Sequence, residues 1–348
     1  MRPAKTRTPL SRENPVDPGG PRIGGFAPLV TVTGMDQGNT EPPKMTQSKI
    51  EKIIARFRVK PGQKVCLNNY DPAWMGTKEM RELGKQELRS RTSAFLQQKL
   101  AELAEQQELL WASGSYAVLV VLQAMDAAGK DGTIKHVMSG VNPQGCQVYS
   151  FKAPSTIELN HTWLWRYMKS LPERGRICIF NRSHYEDVLV VKVHKQLLAK
   201  QKLPPECLKD DRFWKDRYED INAFERHLAG NGTVIVKVFL HLSKEEQKQR
   251  FLERLETPSK QWKFSEADLA ERAFWDDYQK AFEDALSATS TDDAPWYVVP
   301  ADRKWVARAL VAEILTAAIR RLNLGYPEVG DEKLRRIAEA KRRLESED

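Results

Sequence analysis

The sequence predicts an α/β fold: an open, mostly parallel β-sheet flanked by helices, with a helical lid inserted near one end. Three observations predict it. Short β-prone apolar runs alternate with helix-favouring stretches, the pattern of right-handed βαβ crossovers. The first run is followed at once by a small-residue turn and a lysine, "MDAAGKDGT". Another, "RICIF", ends in the polar burst "NRSHYED", and ligands of open α/β sheets collect at the carboxyl ends of strands.

Taken in order, residues 1–44 are rich in Pro and Gly and read as a flexible tail. Arg2, Lys5, Arg7, Arg12 and Arg22 would suit a transit peptide, but Glu13, Asp17 and the helix breakers oppose that reading, and Met45 is a second candidate start. Residues 45–115 are expected to be a helical extension packed on the core, with Leu83, Leu88, Phe95, Leu100, Leu103 and Leu110 at near-helical spacing in Thr77 to Trp111. The core is expected over 116–327. Its strands are read at 116–122, 146–151, 176–180, 233–240 and 296–300, and its helices at 132–139, 158–171, 212–228, 244–255 and 304–322. Residues 184–215, basic and interrupted by Pro204 and Pro205, are the expected lid. Residues 328–348 are a charged helix or tail.

Composition bounds the function. With 41% apolar and 29% charged residues the 348-residue chain is a globular protein, and no apolar run reaches the roughly 18 residues that span a bilayer. Four scattered cysteines form no CxxC pair, which argues against a zinc site or disulfide framework and for a reducing cytoplasm. The net charge of +8 suits a polyanionic partner. Nucleic acid is not expected, because no pattern of interleaved aromatic and basic residues is visible.

The turn after the first strand differs from the phosphate-loop pattern GxxxxGK[ST] at two places: Ala124 replaces the first Gly, and Asp131 the final Ser or Thr. Backbone N–H groups of Ala127, Ala128, Gly129 and Lys130, followed by Asp131, Gly132 and Thr133 at a helix start, would still cradle an anion. Lys130 adds a charge for terminal phosphates. Asp126 is the hard oxygen that would hold Mg²⁺ in place of the missing hydroxyl. The plain alternative is a tight strand-to-helix turn with a capping Asp. At the second strand end, Asn181 stands where a carboxylate would be usual, and Arg182 suits a fork on phosphate oxygens or an ion pair with Glu186 or Asp187. The histidines are expected to be structural or superficial.

Several long blocks in order, "LQAMDAAGKDGTIKHVMSGVNPQG", "FNRSHYEDVLVVKVH", "RYEDINAFER", "LHLSKEEQKQRF", "RLETPSKQWKFSEADL" and "APWYVVPADRKW", resemble the polyphosphate kinase 2 family from about Phe57 to Pro327. The resemblance is to its single-domain branch, the class III enzymes that phosphorylate both AMP and ADP. It implies a P-loop kinase-like core and reversible, Mg²⁺-dependent (or Mn²⁺-dependent) transfer of the terminal phosphate of inorganic polyphosphate to AMP and ADP, giving ADP and ATP. It makes Asp126, Lys130, Arg182 and Glu186 the catalytic set, with Asp126 and Glu186 on metal and Asn181 and Arg182 at the nucleotide phosphates. Glu186 falls where relatives restricted to one acceptor usually carry Asn, and the insertion after His194 corresponds to the family's lid. The polymer would need a basic groove, for which Lys135, Lys192, Lys195, Arg250, Arg254, Lys260 and Lys263 are the candidates, each with an ordinary reading as a solvated helix charge. The family also implies a homo-oligomer, a dimer or tetramer, working in the cytoplasm. Ala124 and Thr162 depart from the branch, which puts loop geometry and acceptor placement at issue. The competing functions are an ATP-dependent P-loop kinase and a polyphosphate- or nucleotide-binding protein with impaired catalysis.

Overall fold

The computed structural model describes residues 46–208 and 212–347. The expected N-terminal tail lies outside them. Five strands, β1 (Ala117–Ala124), β2 (Cys146–Ser150), β3 (Ile177–Asn181), β4 (Thr233–His241) and β5 (Trp296–Pro300), form one sheet. All neighbours pair in parallel, in the order β2-β3-β1-β4-β5. The longer helices are α1 (Gln47–Ala55), α2 (Lys85–Ser113), α3 (Lys130–Val137), α4 (Phe213–Gly230), α5 (Lys244–Glu256), α6 (Trp275–Thr289), α7 (Lys304–Arg320) and α8 (Asp331–Glu345). Among the described residues no helix is long and apolar enough to cross a membrane.

The strand runs are apolar throughout because both faces of the sheet are covered. Alternate side chains go to opposite layers: Val118, Val120 and Leu122 of β1 join the core under α2, α3 and α7, while Leu119 and Val121 join the one under α4 and α6. Phe282 of α6 lies against Phe239 of β4, ring centres 4.2 Å apart. The connection leaving β1 leads to β2 on one side and that leaving β3 leads to β4 on the other, so the strand order reverses between neighbouring β1 and β3. A ligand crevice is expected at their carboxyl ends.

Three local expectations are corrected. Residues 158–171 are not one helix but two single turns, Thr156–Leu159 and Trp165–Met168, parted by residues 160–164, of which Asn160, His161 and Thr162 favour helix weakly. Helix α6 adds to the expected set, although Trp275, Tyr278, Phe282 and Leu286 show its period. The first part of the expected lid is core: His184, Tyr185, Val188, Leu189 and Val191 are all buried. The N-terminal extension also does more than pack, since Val59 N–H donates to Trp296 O and Val298 N–H to Phe57 O, which extends the sheet edge at β5 by one antiparallel bridge.

Helix α2 lies along α7, and a buried charge cluster joins them. Lys99 donates to Glu102 (2.7 Å) and pairs with Glu313 (2.8 Å), and Arg320 reaches both carboxylates. Burial pushes the Glu102 carboxyl up, but Lys99 and then Arg320 outweigh it and hold its pKa below the ordinary carboxylate range. A depressed carboxylate pKa gives stability that is present above the unfolded value of about 4.3 and is lost as pH falls through the folded one. Glu102→Gln is therefore expected to lower the melting temperature by about 2–4 °C at pH 7, near 1 kcal/mol, with the gap closing below about pH 4. Paired thermal melts across that range check it, and a gap that persists in acid would count against the ion pair.

Candidate active site

The turn between β1 and α3 has a backbone that its sequence explains. Ala124 is the last strand residue, paired with Leu240. It has no positive φ, so the missing glycine costs nothing there. The left-handed positions are Ala127 (φ +60°) and Gly129 (φ +100°). Ala127 bears a cost of about 1–2 kcal/mol for that conformation, and it is held in place from behind. Gln247 donates to Asp126 O (2.9 Å), and Arg250 donates to Ala127 O (3.1 Å), Ala128 O (2.8 Å), Ala301 O (2.6 Å) and Asp302 O (3.2 Å). Arg250 is buried. It is a strut under the phosphate loop rather than a polymer contact, which corrects its expected role.

Lys130 opens α3 and folds back, its Nζ donating to Ala124 O at 2.9 Å and Met125 O at 3.4 Å. Burial pulls its pKa down, and Asp126 opposes that. Across the β1/β3 crevice, Arg182 is also left-handed (φ +64°), donates its N–H to Leu122 O and pairs with Asp126 (Nη2 to Oδ1, 3.0 Å). The direct partner of Arg182 is thus Asp126 rather than Asp187, with the charge of Glu186 also acting on it. Asn181 donates to Asp131 Oδ1 (2.9 Å) and to Ser150 Oγ (3.2 Å). Its own Oδ1 is buried without a partner, an exception among buried acceptors.

The next three residues are anchored in the core. Ser183 accepts from Gln123 (3.1 Å), His184 Nε2 meets Glu225 (3.2 Å), and the Tyr185 hydroxyl donates to Glu225 (2.9 Å). Beneath them the fully buried Lys237 of β4 donates to Glu225 (2.5 Å), Tyr185 (2.9 Å) and Thr289 O (2.6 Å). Burial pushes Glu225 up, but Lys237 and His184 outweigh it and keep it ionised. The strand end is therefore fixed at 183–185, and Arg182 and Glu186 flank that fixed triplet.

Glu186 has a raised pKa: burial dominates and Asp126 adds repulsion, against the pull of Arg182, Lys130 and a hydrogen bond from Gln123. A fourth carboxyl, Asp268, is raised by burial and by Asp126, with Arg254 opposing. It belongs to the segment 257–274, which follows α5 and bends over the loop: Arg254 holds Asp268 (3.2 Å), Arg272 holds Gln247 (2.6 Å), and Glu271 accepts from Tyr278 (2.7 Å) and meets His194 (2.8 Å). Asp268 lies in the block "RLETPSKQWKFSEADL" but is not singled out there as a site residue. Among the described residues no three His, Cys, Asp or Glu side chains form a metal cage. The donor set that fits a cation is smaller: two hard carboxylates, Asp126 and Glu186, close enough to repel each other. That suits an ion that keeps its waters and takes the rest of its ligands from phosphate.

The expected basic groove divides. Lys135 and Lys195 are exposed. Lys260 pairs with Glu253 (2.5 Å) and Lys263 lies over the Trp262 ring (5.1 Å). Arg254 is spent partly on Asp268 and Lys263 O. Lys192 is engaged with Tyr218 (3.0 Å) and Asp284 (2.9 Å) on α4 and α6, not with the loop. Two basic residues of α7 were missed: the Arg308 guanidinium lies 3.7 Å from where a Cβ on Gly132 would stand, and Lys304 is 3.9 Å from Glu253. Burial and then the charge of Arg250 lower the pKa of both, as in a cluster of cations short of counter-charge. The block "PADRKW" contains one of them, and only the helix direction shows which way it faces.

Comparisons with known proteins follow the same lines. Residues 85–324 match the sequence profile described as polyphosphate kinase 2 (PPK2). An ADP-polyphosphate phosphotransferase of Rhodopseudomonas palustris is 47% identical over 293 residues, 83% of this chain and 97% of its own. An AMP/ADP-polyphosphate phosphotransferase of Meiothermus ruber is 46% identical over 283 residues, 81% of this chain and 99% of its own. The crystal structure of polyphosphate kinase 2 from Arthrobacter aurescens TC1 superposes with a TM-score of 0.72 at 40% identity, covering 82% of this chain and 95% of that one.

Proposed function

Since the chain belongs to the polyphosphate kinase 2 family, we propose that it transfers the terminal phosphate of inorganic polyphosphate to AMP and to ADP, giving ADP and ATP and a polymer shorter by one unit. The observation that carries the reading is the convergence of Asp126, Lys130, Arg182 and Glu186 at the neighbouring ends of β1 and β3.

A phosphate oxygen of the nucleotide attacks the terminal phosphorus of the chain, and the bond to the bridging oxygen breaks, leaving the shorter polymer with that oxygen. The attacking oxygen is already ionised near neutral pH, so no strong base is needed. Catalysis then consists of alignment and charge neutralisation. Lys130 and the N–H groups of Ala127 and of Gly129 to Gly132 would bind the transferring phosphate, those of Ala128 and Thr133 being engaged with Met125 O and Gly129 O, and Arg182, once a phosphate competes with Asp126, would swing its fork onto phosphate oxygens. Asp126 and Glu186 would hold a divalent cation, Mg²⁺ or Mn²⁺, which supplies Lewis-acid charge to the bridging phosphates. Segment 257–274 is the better candidate for a cover over the site than the start of 184–215. We further read the protein as a cytoplasmic homo-oligomer of two or four copies.

The polymer path we favour runs past Lys304 and Arg308 toward Lys260 and Lys263, with Lys135 and Lys195 at its margins. The variant Lys304→Ala with Arg308→Ala is expected to raise the KM for long-chain polyphosphate about tenfold and to flatten its salt dependence, because two of the contacts that release counter-ions are gone. The KM for ADP should stay within about twofold. Steady-state rates at several ionic strengths check this.

The whole reading is tested by incubating purified protein with Mg²⁺ and long-chain polyphosphate, with AMP and ADP in separate reactions. ATP from both is expected. No product from either, with the polymer still bound, would turn the reading to a binding protein, and turnover only with ATP as donor would turn it to an ATP-dependent kinase.

A further inference from the structure

A cavity of about 370 Å³ opens to solvent between α4 and α6, a volume typical of small-ligand sites. These helices cover one face of the sheet, whereas the phosphate loop leads into α3 on the other. Four ammonium groups line the cavity from four separate stretches of chain: Lys64, Lys192, Lys215 and Lys280. Asp284 is the one carboxylate among the lining residues, and it serves both Lys192 (2.9 Å) and Lys280 (2.8 Å). Its neighbour Glu283 accepts from Leu67 N–H (2.8 Å). Lys215 has Glu219 at 3.7 Å, an exposed pair of little strength, and Lys64 makes no ion pair among the described residues. The walls are fixed. Val65 N–H donates to Ser287 Oγ of α6 (2.8 Å), which holds the Lys64 stretch in place, and Lys192 donates to the Tyr218 hydroxyl of α4 (3.0 Å).

The charge selects the ligand class. A concave site where ammonium groups outnumber carboxylates concentrates multivalent anions. Lysines are hydrated point charges on flexible stems, which suits a chain of phosphates that presents no fixed face, where an arginine fork would select a planar pair of oxygens. The lining aromatic ring, Tyr218, is buried and already faces Lys192, so it offers no platform on which a nucleobase could stack. We propose that this cavity is a second oligophosphate site, apart from the phosphate loop, which holds an inner stretch of a long polyphosphate chain while the chain's end lies at Lys130. It rests on the phosphate donor named above. A chain long enough to loop between the two sites is held at both, the second contact gaining from a high effective concentration, whereas a short chain fills only one.

The test begins with the full chain treated with an amine-acetylating ester and read residue by residue in a mass spectrometer. Inorganic tripolyphosphate is expected to slow modification of Lys64, Lys215 and Lys280 about fivefold at a few times its dissociation constant, to leave exposed Lys333 unchanged, and to protect better than ATP. The variant Lys64→Gln with Lys215→Gln changes two exposed side chains, so its melt should match wild type. It is expected to weaken binding of long-chain polyphosphate about fivefold in equilibrium dialysis and to raise its KM alike, while the KM for tripolyphosphate as donor stays within about twofold. No protection of the three lysines would overturn the proposal. Protection with unchanged long-chain affinity would give the cavity to free phosphate anions, and stronger protection by ATP would give it to a nucleotide; either overturns it. An equal rise of KM for both donors would place these lysines at the reacting end and overturn it too. Protection and dialysis need no turnover, so they can hold where no ATP forms and the reading above fails, and an active enzyme indifferent to the two substitutions would sink this proposal alone.

Discussion

Asp126→Asn is expected to lower kcat for phosphotransfer about 10³-fold while leaving the fold within about 1 kcal/mol of wild type. The amide keeps the shape of the side chain and still accepts from Arg182, whose Nη2 lies 3.0 Å from Oδ1. It removes the charge. Asp126 offsets the buried Lys130 ammonium and repels Glu186 and Asp268, so it is the carboxylate on which the electrostatics of the site turn. Without it the pair of hard oxygens is reduced to one, and cation affinity should fall in parallel. Initial rates over a Mg²⁺ titration, with a thermal melt as control, decide the matter: a variant that keeps a tenth of the wild-type rate at saturating Mg²⁺ would remove Asp126 from the catalytic set.

Lys237→Met is expected to have the largest effect on stability, about 3–5 kcal/mol. Methionine fills the same volume, so the loss is not a cavity. It leaves Glu225 ionised and fully enclosed with only His184 and the Tyr185 hydroxyl against it, and it strands Thr289 O. Adding Glu225→Gln should restore a substantial part, because the uncompensated charge goes with it. Denaturant unfolding of the two variants measures both. A loss below about 1 kcal/mol for the single change would show that the enclosed carboxylate finds another way to be neutralised.

Much of this architecture is legible in the sequence. The five strands lie within two residues of their expected ends, since a sheet covered on both faces needs continuous apolar runs and the turns between them are marked by Gly and Pro. The phosphate loop is legible as well, through the spacing of Asp126, Gly129 and Lys130. What sequence does not carry is the direction of a charged side chain on a helix. Along α5, hydrophobicity would turn Leu252 and Leu255 inward and Arg250 out. The structure does the reverse: both leucines are 41% exposed and Arg250 is 7% exposed, because four backbone carbonyls of two loops meet where only a guanidinium can serve them all. Lys192 misled for the same reason. Lys304 and Arg308 were silent until α7 was placed against the start of α3. The stretch 184–187 has the polar letters of a surface loop, yet its histidine and tyrosine are absorbed by Glu225 and Lys237, partners found 40 to 52 residues away in the chain.

That absorption has an evolutionary consequence. Because Ser183, His184 and Tyr185 are tied down by the core, residue 186 is carried on a fixed mount whose shape does not depend on what side chain it bears. On the function proposed above, in which Glu186 stands near the acceptor, a lineage could exchange the residue there without rebuilding the strand end. On that reading the residue facing the substrate and the bonds that hold the fold would be under separate mutational control.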